Sequence, residues 1–247
     1  MQTDISKNRR SLYNVVLENL TEAQRNTPLH RMFYAAEHFL TDDRKKLKEL
    51  VEETIDAFNR GYNDDVLTGL FLHYENHFVH MVEGSEEGIT KHLELLMKTN
   101  EKSEFIGKAK ILMFYHHITQ RFFPRWISVA GRPPTLIAKP NPSCDTEQLG
   151  NHVLTVFSKM YNLAGYFREC LEKSAEELRD AISTVSEKCS SFLPEIVLIE
   201  FLLDHDDIPE LREHAGLYKI IDFPKSFEES VWPIPTDFVP YNVFEGQ

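Results

Sequence analysis

The chain has 247 residues, which suits one large domain or a smaller one with an extension, and its 42% hydrophobic content is enough to build a core. Its 39 acidic residues outweigh 27 basic ones, giving a net charge of −12; this argues against a nucleic-acid binder that works by neutralising phosphates and against a polybasic membrane surface. No run approaches a membrane span, and the opening MQTDISKNRRS lacks the apolar core of a signal peptide, so a soluble intracellular protein is expected.

Residues 11–25 place Leu12, Val15, Val16 and Leu20 near helical spacing, and Pro28 ends that helix. Residues 31–39 read as a strand with Met32, Tyr34 and Ala36 on one face and Phe33 and Ala35 on the other. Thr41 is placed to cap a helix that runs to about Asn59 and carries Leu47, Leu50, Val51, Thr54, Ile55 and Phe58 on one stripe.

The stretch LTGLFLHYENHFVHMVEG, residues 67–84, reads as a β-hairpin around Glu75-Asn76. Pairing Tyr74 with His77 puts Phe71, His73, Phe78 and His80 on one face. Leu70, Leu72, Tyr74, His77, Val79 and Met81 fall on the other. Both faces are mostly apolar, so the sheet requires cover on both sides.

Ser85 is a fit N-cap for a helix with Glu86 and Glu87 in its first turn and Ile89, Leu93, Leu96 and Met97 on its buried stripe, Gly88 being a small cost. Residues 105–118 are strand-like, with Ala109, Ile111, Met113 and Tyr115 opposed to Lys108, Lys110 and Leu112. Residues 121–129 offer a fifth, shorter strand interrupted by Pro124. Strand, helix, strand, strand, helix, strand is the ferredoxin-like order, an α+β fold whose two helices cover one face.

Residues 132–144 are rich in proline and form the clearest linker. Beyond it Leu149, Val153, Val156, Met160, Leu163, Phe167 and Leu171 hold a helical spacing. Ser174 to Glu177 has the form of a capping box, Pro194 opens a very apolar helix, and residues 207–216 suit a last short one. These helices are expected to cover the second face. The expected organisation is an N-terminal helical segment (1–27), the ferredoxin-like domain (28–131), the linker (132–144), a helical extension (145–221) and an extended aromatic and proline-rich tail (222–247) that straps its own domain or docks on a partner.

Chemistry-bearing motifs are few. Cys144, Cys170 and Cys189 lack the close pairing of a zinc or redox site and read as free thiols. His73 and His80 share a face while His77 points away, so three histidines of the hairpin do not converge on one metal. The acidic run Asp204 to Asp207 lacks the spacing of a calcium loop, and Arg121 and Arg125 read as surface charge. No nucleophile motif, phosphate loop or dinucleotide fingerprint is present, so no enzymatic activity is expected.

LHRMFYAA (29–36), VLTGLF (66–71), HFVHMVEG (77–84) and RFFPRW (121–126) resemble, in order and spacing, the BLUF domain, a flavin-based blue-light sensor. The resemblance implies a ferredoxin-like sheet and a flavin pocket formed around Tyr34, Asn63 (or Tyr62), His80 and Trp126. Tyr34 matches the photoactive tyrosine, but His80 stands for the essential glutamine, Ala36 for a serine and Ser128 for a methionine. Gly69, Gly84, Glu83, Phe78 and Phe123 match as scaffold. Imidazole does not rearrange as a glutamine amide does, so the expectation is a vestigial pocket with no cofactor, FAD being the alternative. The whole chain also resembles a vertebrate testis-expressed family with a BLUF-like domain. That implies a non-enzymatic component of the cytoskeleton in the sperm flagellar axoneme, with axonemal or microtubule-associated protein partners.

Overall fold

The computed structural model describes residues 11–217, apart from residues 24, 26, 42, 62–64, 136–139 and 142–143. Asn63, Tyr62 and the tail 222–247 therefore lie outside the described residues.

The hairpin forms in the expected register. Tyr74 N–H donates to His77 O, and β2 (Thr68–His73) pairs antiparallel with β3 (His77–Gly84), setting Leu72 opposite Val79 and Phe71 opposite His80. β1 (Leu29–His38) lies against β3, and β4 (Ile106–Ile118) against β1, both antiparallel. β5 (Trp126–Ala130) adds parallel to β2, giving the order β4-β1-β3-β2-β5. This is the ferredoxin-like arrangement with one added edge strand. Gly69, the second residue of β2, has φ 146°, and a Cβ there would stand 2.0 Å from the Met81 carbonyl oxygen, so only glycine lets β2 pair this closely.

Two layers of helix cover the sheet. α2 (Arg44–Asn59) and α3 (Glu86–Ser103) pack Leu47, Val51, Ile55, Ile89, Leu93 and Leu96 against Met32, Tyr34, Ala36, Phe71 and Phe78. Asp43, not Thr41, caps α2 by accepting from Lys46 N–H, because it sits one residue before the first helical turn. Gly88 is more than a small cost: a Cβ there would meet Leu67 and Phe58 at 3.0 Å, so its absence lets α3 approach α2. Asn59 and Asn100, near the C-terminal ends of α2 and α3, each use both amide atoms to hold the backbone of the following strand, at Leu67 and Ile106.

On the opposite face Phe33, Ala35, Leu70, Leu72, Tyr74, Val79 and Met81 meet α4 (Thr146–Lys173), α5 (Ala175–Ser183), α6 (Val185–Lys188) and α7 (Ile196–Asp204). Ser174 accepts from Glu177 N–H as a capping box requires. Leu72 and Val79 are fully buried, as a two-sided sheet demands. The last helix differs from expectation: α8 (Leu211–Leu217) buries Leu211 and Ala215 with α2 and α3 rather than with the other post-linker helices. The chain reaches that side along the outer edge of β4, where Glu210 bridges Lys110 and Ile111 N–H donates to Pro209 O. That contact blunts an otherwise open edge.

β4 also departs from simple alternation. Its register against β1 shifts three times, and Tyr34 faces Ile111 while Phe33 faces Met113, leaving Leu112 as an extra residue. Ile111 therefore points to the α2/α3 side and Met113 to the α4 side, although they were expected to share a face. Lys110 is buried against Glu210 rather than exposed. The N-terminal helix α1 (Leu12–Glu22) forms, capped by Ser11, but buries none of its residues among the described ones.

Candidate functional site

Tyr34 on β1 and His80 on β3 are opposite in register and both face α2 and α3. The Tyr34 hydroxyl lies 2.7 Å from His80 Nδ1, and Trp126 at the start of β5 donates its indole N–H to His80 Nε2 at 2.9 Å. Three of the four positions implied by the resemblance are thus brought together. The fourth, Asn63, is not among the described residues.

Two further residues complete the group, and sequence reasoning assigned neither a role. His92 of α3 places Nε2 at 2.9 Å from the Tyr34 hydroxyl, and its Nδ1 lies 2.9 Å from Thr54 Oγ1 on α2. Thr54 in turn donates to the Val51 carbonyl at 2.6 Å. The available signal was the spacing: His92 is the polar member of the buried stripe Gly88, Ile89, Leu93, Leu96, one turn beyond Gly88. Thr54 lies on the apolar stripe of α2, and its spacing does not set it apart from its neighbours there.

Donor and acceptor roles follow from one fixed point. An indole nitrogen only donates, so His80 Nε2 is the acceptor and neutral His80 carries its proton on Nδ1. That N–H donates to the Tyr34 oxygen; the Tyr34 hydroxyl donates to His92 Nε2; His92 Nδ1–H donates to Thr54; and Thr54 donates to Val51 O. All the bonds run in one direction and every polar atom is used. Tyr34, His80 and His92 are each 0% exposed. Burial pushes the His92 imidazole down to about 3, and burial, with His92 beside it, holds His80 well below its ordinary value. Burial likewise raises the Tyr34 phenol. Proton gain by His80 would set its Nε2–H against the indole N–H, a second reason for neutrality.

The same residues decide how well the chain fits a flavin. A ring bound here would have to hydrogen-bond groups already satisfied by one another and enter space filled by the His80, His92, Phe71 and Phe78 rings, whose centroids stand 5.1–5.3 Å apart. The set as folded does not fit the group. Ala36 and Ser128 add nothing toward it: Ala36 is packed in the core, and the buried Ser128 hydroxyl has no hydrogen-bond partner.

Other sequence candidates resolve differently. Glu83, expected as packing, is a fully buried carboxylate. It accepts from Arg31 Nε at 2.7 Å, from Phe122 N–H and from Thr68 Oγ1, while Arg31 NH1 donates to Tyr161 Oη at 2.7 Å. This pair ties β1, β2 and β3 to α4. Arg121 is not simple surface charge either: it donates to Thr68 Oγ1 and Glu83 O and pairs with Asp65 at 3.0 Å. His73 and His77 are buried on opposite faces with Nδ1 unpaired. Burial lowers both, His73 to about 4. Among the described residues no group of His, Cys, Asp or Glu is arranged to hold a metal, and all three cysteines are free thiols. Among them, too, no helix is long and apolar enough to cross a membrane.

The sequence profile of the family described as testis-expressed protein 47 matches residues 28–219, covering the sheet and both helical layers. The chain belongs to this family. Solved structures give partial, distant matches. A bacterial light-regulated adenylyl cyclase is 19% identical over 40% of this chain and 28% of its own, with a TM-score of 0.32. The dark state of BlrB, a BLUF protein, is 18% identical over 41% of this chain and 74% of its own, with a TM-score of 0.31. BlsA in its photo-activated state is 17% identical over 63% and 92%, with a TM-score of 0.33. The chain thus spans little more than a quarter of the cyclase.

Proposed function

We propose that this member of the testis-expressed family is a non-enzymatic interaction protein of sperm, a scaffold within the flagellar axoneme whose partners are axonemal or microtubule-associated proteins. The observation that carries the scaffold part is the closed chain Trp126, His80, Tyr34, His92, Thr54. A photosensory switch needs a group at the tyrosine that both donates and accepts and can exchange those roles. Here the tyrosine is held between two imidazoles whose protons are fixed by the indole at one end and a helix carbonyl at the other. Such a network locks β1, β3, β5, α2 and α3 together and gives the sheet a single rigid form. The axonemal placement rests on the family resemblance alone.

A second reading, a flavin-binding sensor, draws on the meeting of Tyr34, His80 and Trp126 around one point. The near-ultraviolet and blue absorbance of the purified full chain separates the two. The scaffold predicts no flavin band and no quenching of FAD or FMN fluorescence on titration. A flavin band at one equivalent per chain would overturn it. Proximity labelling from the tagged chain in sperm tests the placement: enrichment of axonemal proteins is expected, and labelling confined to soluble cytoplasmic proteins would refute it.

A further inference from the structure

Away from the Tyr34 network, the far end of β4 and the 119–122 turn line an open polar cavity of 420 Å³ that the proposed scaffold role does not use. Arg31, Arg121, Arg168, His116, His117 and Tyr161 line it, and none of its described lining residues is an aspartate or glutamate. In a chain with a net charge of −12 such a wall is unexpected. We propose that this cavity binds a phosphate-bearing small molecule of nucleotide size.

The guanidinium groups are held in place from behind. Arg31 is bonded to the fully buried Glu83 and to Gln120 O, and Arg121 to Asp65, Thr68 and Glu83 O. Both are immobilised by the fold with their charge met by Glu83 and Asp65, so they shape the wall, and the uncommitted guanidinium donors at the cavity come from Arg168. Arg168 on α4 donates only through Nε, to Glu172, among the described residues, which leaves the two terminal nitrogens for a ligand. Tyr161 accepts from Arg31 NH1 and so keeps its own hydroxyl proton to donate.

The backbone is shaped here as well. The register slip at the end of β4 coincides with His117 in the left-handed region at φ 57°, an uncommon conformation for a residue other than glycine. It is the kind of local strain that a bulge stores where side chains are re-aimed. His116 and His117 flank the cavity, with His116 Nδ1 at 3.1 Å from His30 Nδ1, one of the two donating.

Aromatic surfaces set the ligand class. The Phe122 and Tyr161 rings meet edge to face at 4.5 Å between centroids, and Tyr115 is 40% exposed at the rim. The Arg31 guanidinium lies 4.5 Å over the Phe122 ring and 5.5 Å from the Tyr161 ring, so Tyr115 is the ring left at the rim to meet a planar base joined to a phosphate. The volume falls within the range of small-molecule sites.

Calorimetric titration of the full chain with AMP, pyrophosphate and adenosine tests the site, with Arg168→Gln as the variant because Arg168 lies on the α4 surface and outside the Arg31–Glu83 core. AMP is expected to bind saturably and more tightly than pyrophosphate, adenosine not measurably, and R168Q to weaken AMP by about tenfold, the loss of one charge-assisted contact. Lys45→Gln, remote on α2, should leave AMP binding unchanged. Absence of saturable binding by both AMP and pyrophosphate would overturn the proposal. So would binding that R168Q leaves intact, or equal weakening by Lys45→Gln.

Discussion

Replacing Tyr34 by Phe removes a single oxygen and leaves the ring, so it isolates the hydrogen-bonded chain from core packing. The oxygen accepts from His80 Nδ1–H and donates to His92 Nε2, both fully buried. Each orphaned group costs about 1–3 kcal/mol when no water reaches it. Two orphans give about 2–6 kcal/mol, and partial relaxation of the His92 ring places the expected loss near 3 kcal/mol. For a domain of this size that lowers the melting temperature by about 6–12 °C. Urea unfolding of the full chain followed by circular dichroism is the assay, with the midpoint falling and the slope unchanged. A triple variant with Phe at 34 and Leu at 80 and 92 supplies the control. Removing the hydroxyl and both imidazoles together should restore part of the loss, because the penalty lies in unpaired groups rather than in the bonds themselves; the half-buried Trp126 N–H loses its acceptor, while Thr54 keeps its bond to Val51 O. A Tyr34→Phe loss under about 0.5 kcal/mol, the range of an ordinary surface change, would refute the closed chain as the element that locks the sheet.

Stability should fall with acid between pH 6.5 and 3. His80 and His92 are held neutral in the fold, with His92 at about 3, but take up a proton near 6.5 when unfolded, so the unfolded state binds more protons throughout that window. The contribution is complete above pH 6.5, and His92 alone loses about 2 kcal/mol by pH 5; a flat unfolding midpoint from pH 7 to 5 would contradict the neutral, buried assignment. Glu83→Ala strips the carboxylate paired with buried Arg31 and should cost about 3–5 kcal/mol, whereas Lys45→Ala, which breaks an exposed pair with Glu49, should not move the midpoint measurably. Equal effects of the two substitutions in the same denaturation assay would refute the anchoring role of Glu83.

The sequence by itself determined what repeats at short range. The two-residue turn at Glu75-Asn76 fixed the hairpin register and alternation then sorted its two faces, since a slip of one residue would have moved Leu72 and Val79 to the α2/α3 side. Helical spacing marked the buried sides of α2, α3 and α4, and Ser85 and Ser174 marked helix starts, because caps and stripes depend on residues within one or two turns. The meeting of Tyr34, His80 and Trp126 was legible through family motifs rather than through periodicity.

Tertiary structure decided the rest. The bulges of β4 arise from its fit to β1, so the face of Met113 is set by a partner strand some 80 residues earlier and not by its neighbours. α8 crosses to the α2/α3 layer because residues 209–210 hydrogen-bond the free edge of β4, a contact with no local signature. Glu83 looks like a scaffold residue until Arg31, Thr68 and the Phe122 amide converge on it from three segments. His92 and Thr54 join Tyr34 only once α2 and α3 lie side by side over the sheet. A buried polar group is defined by the partner that satisfies it, and when that partner lies tens of residues away, only the folded chain names it.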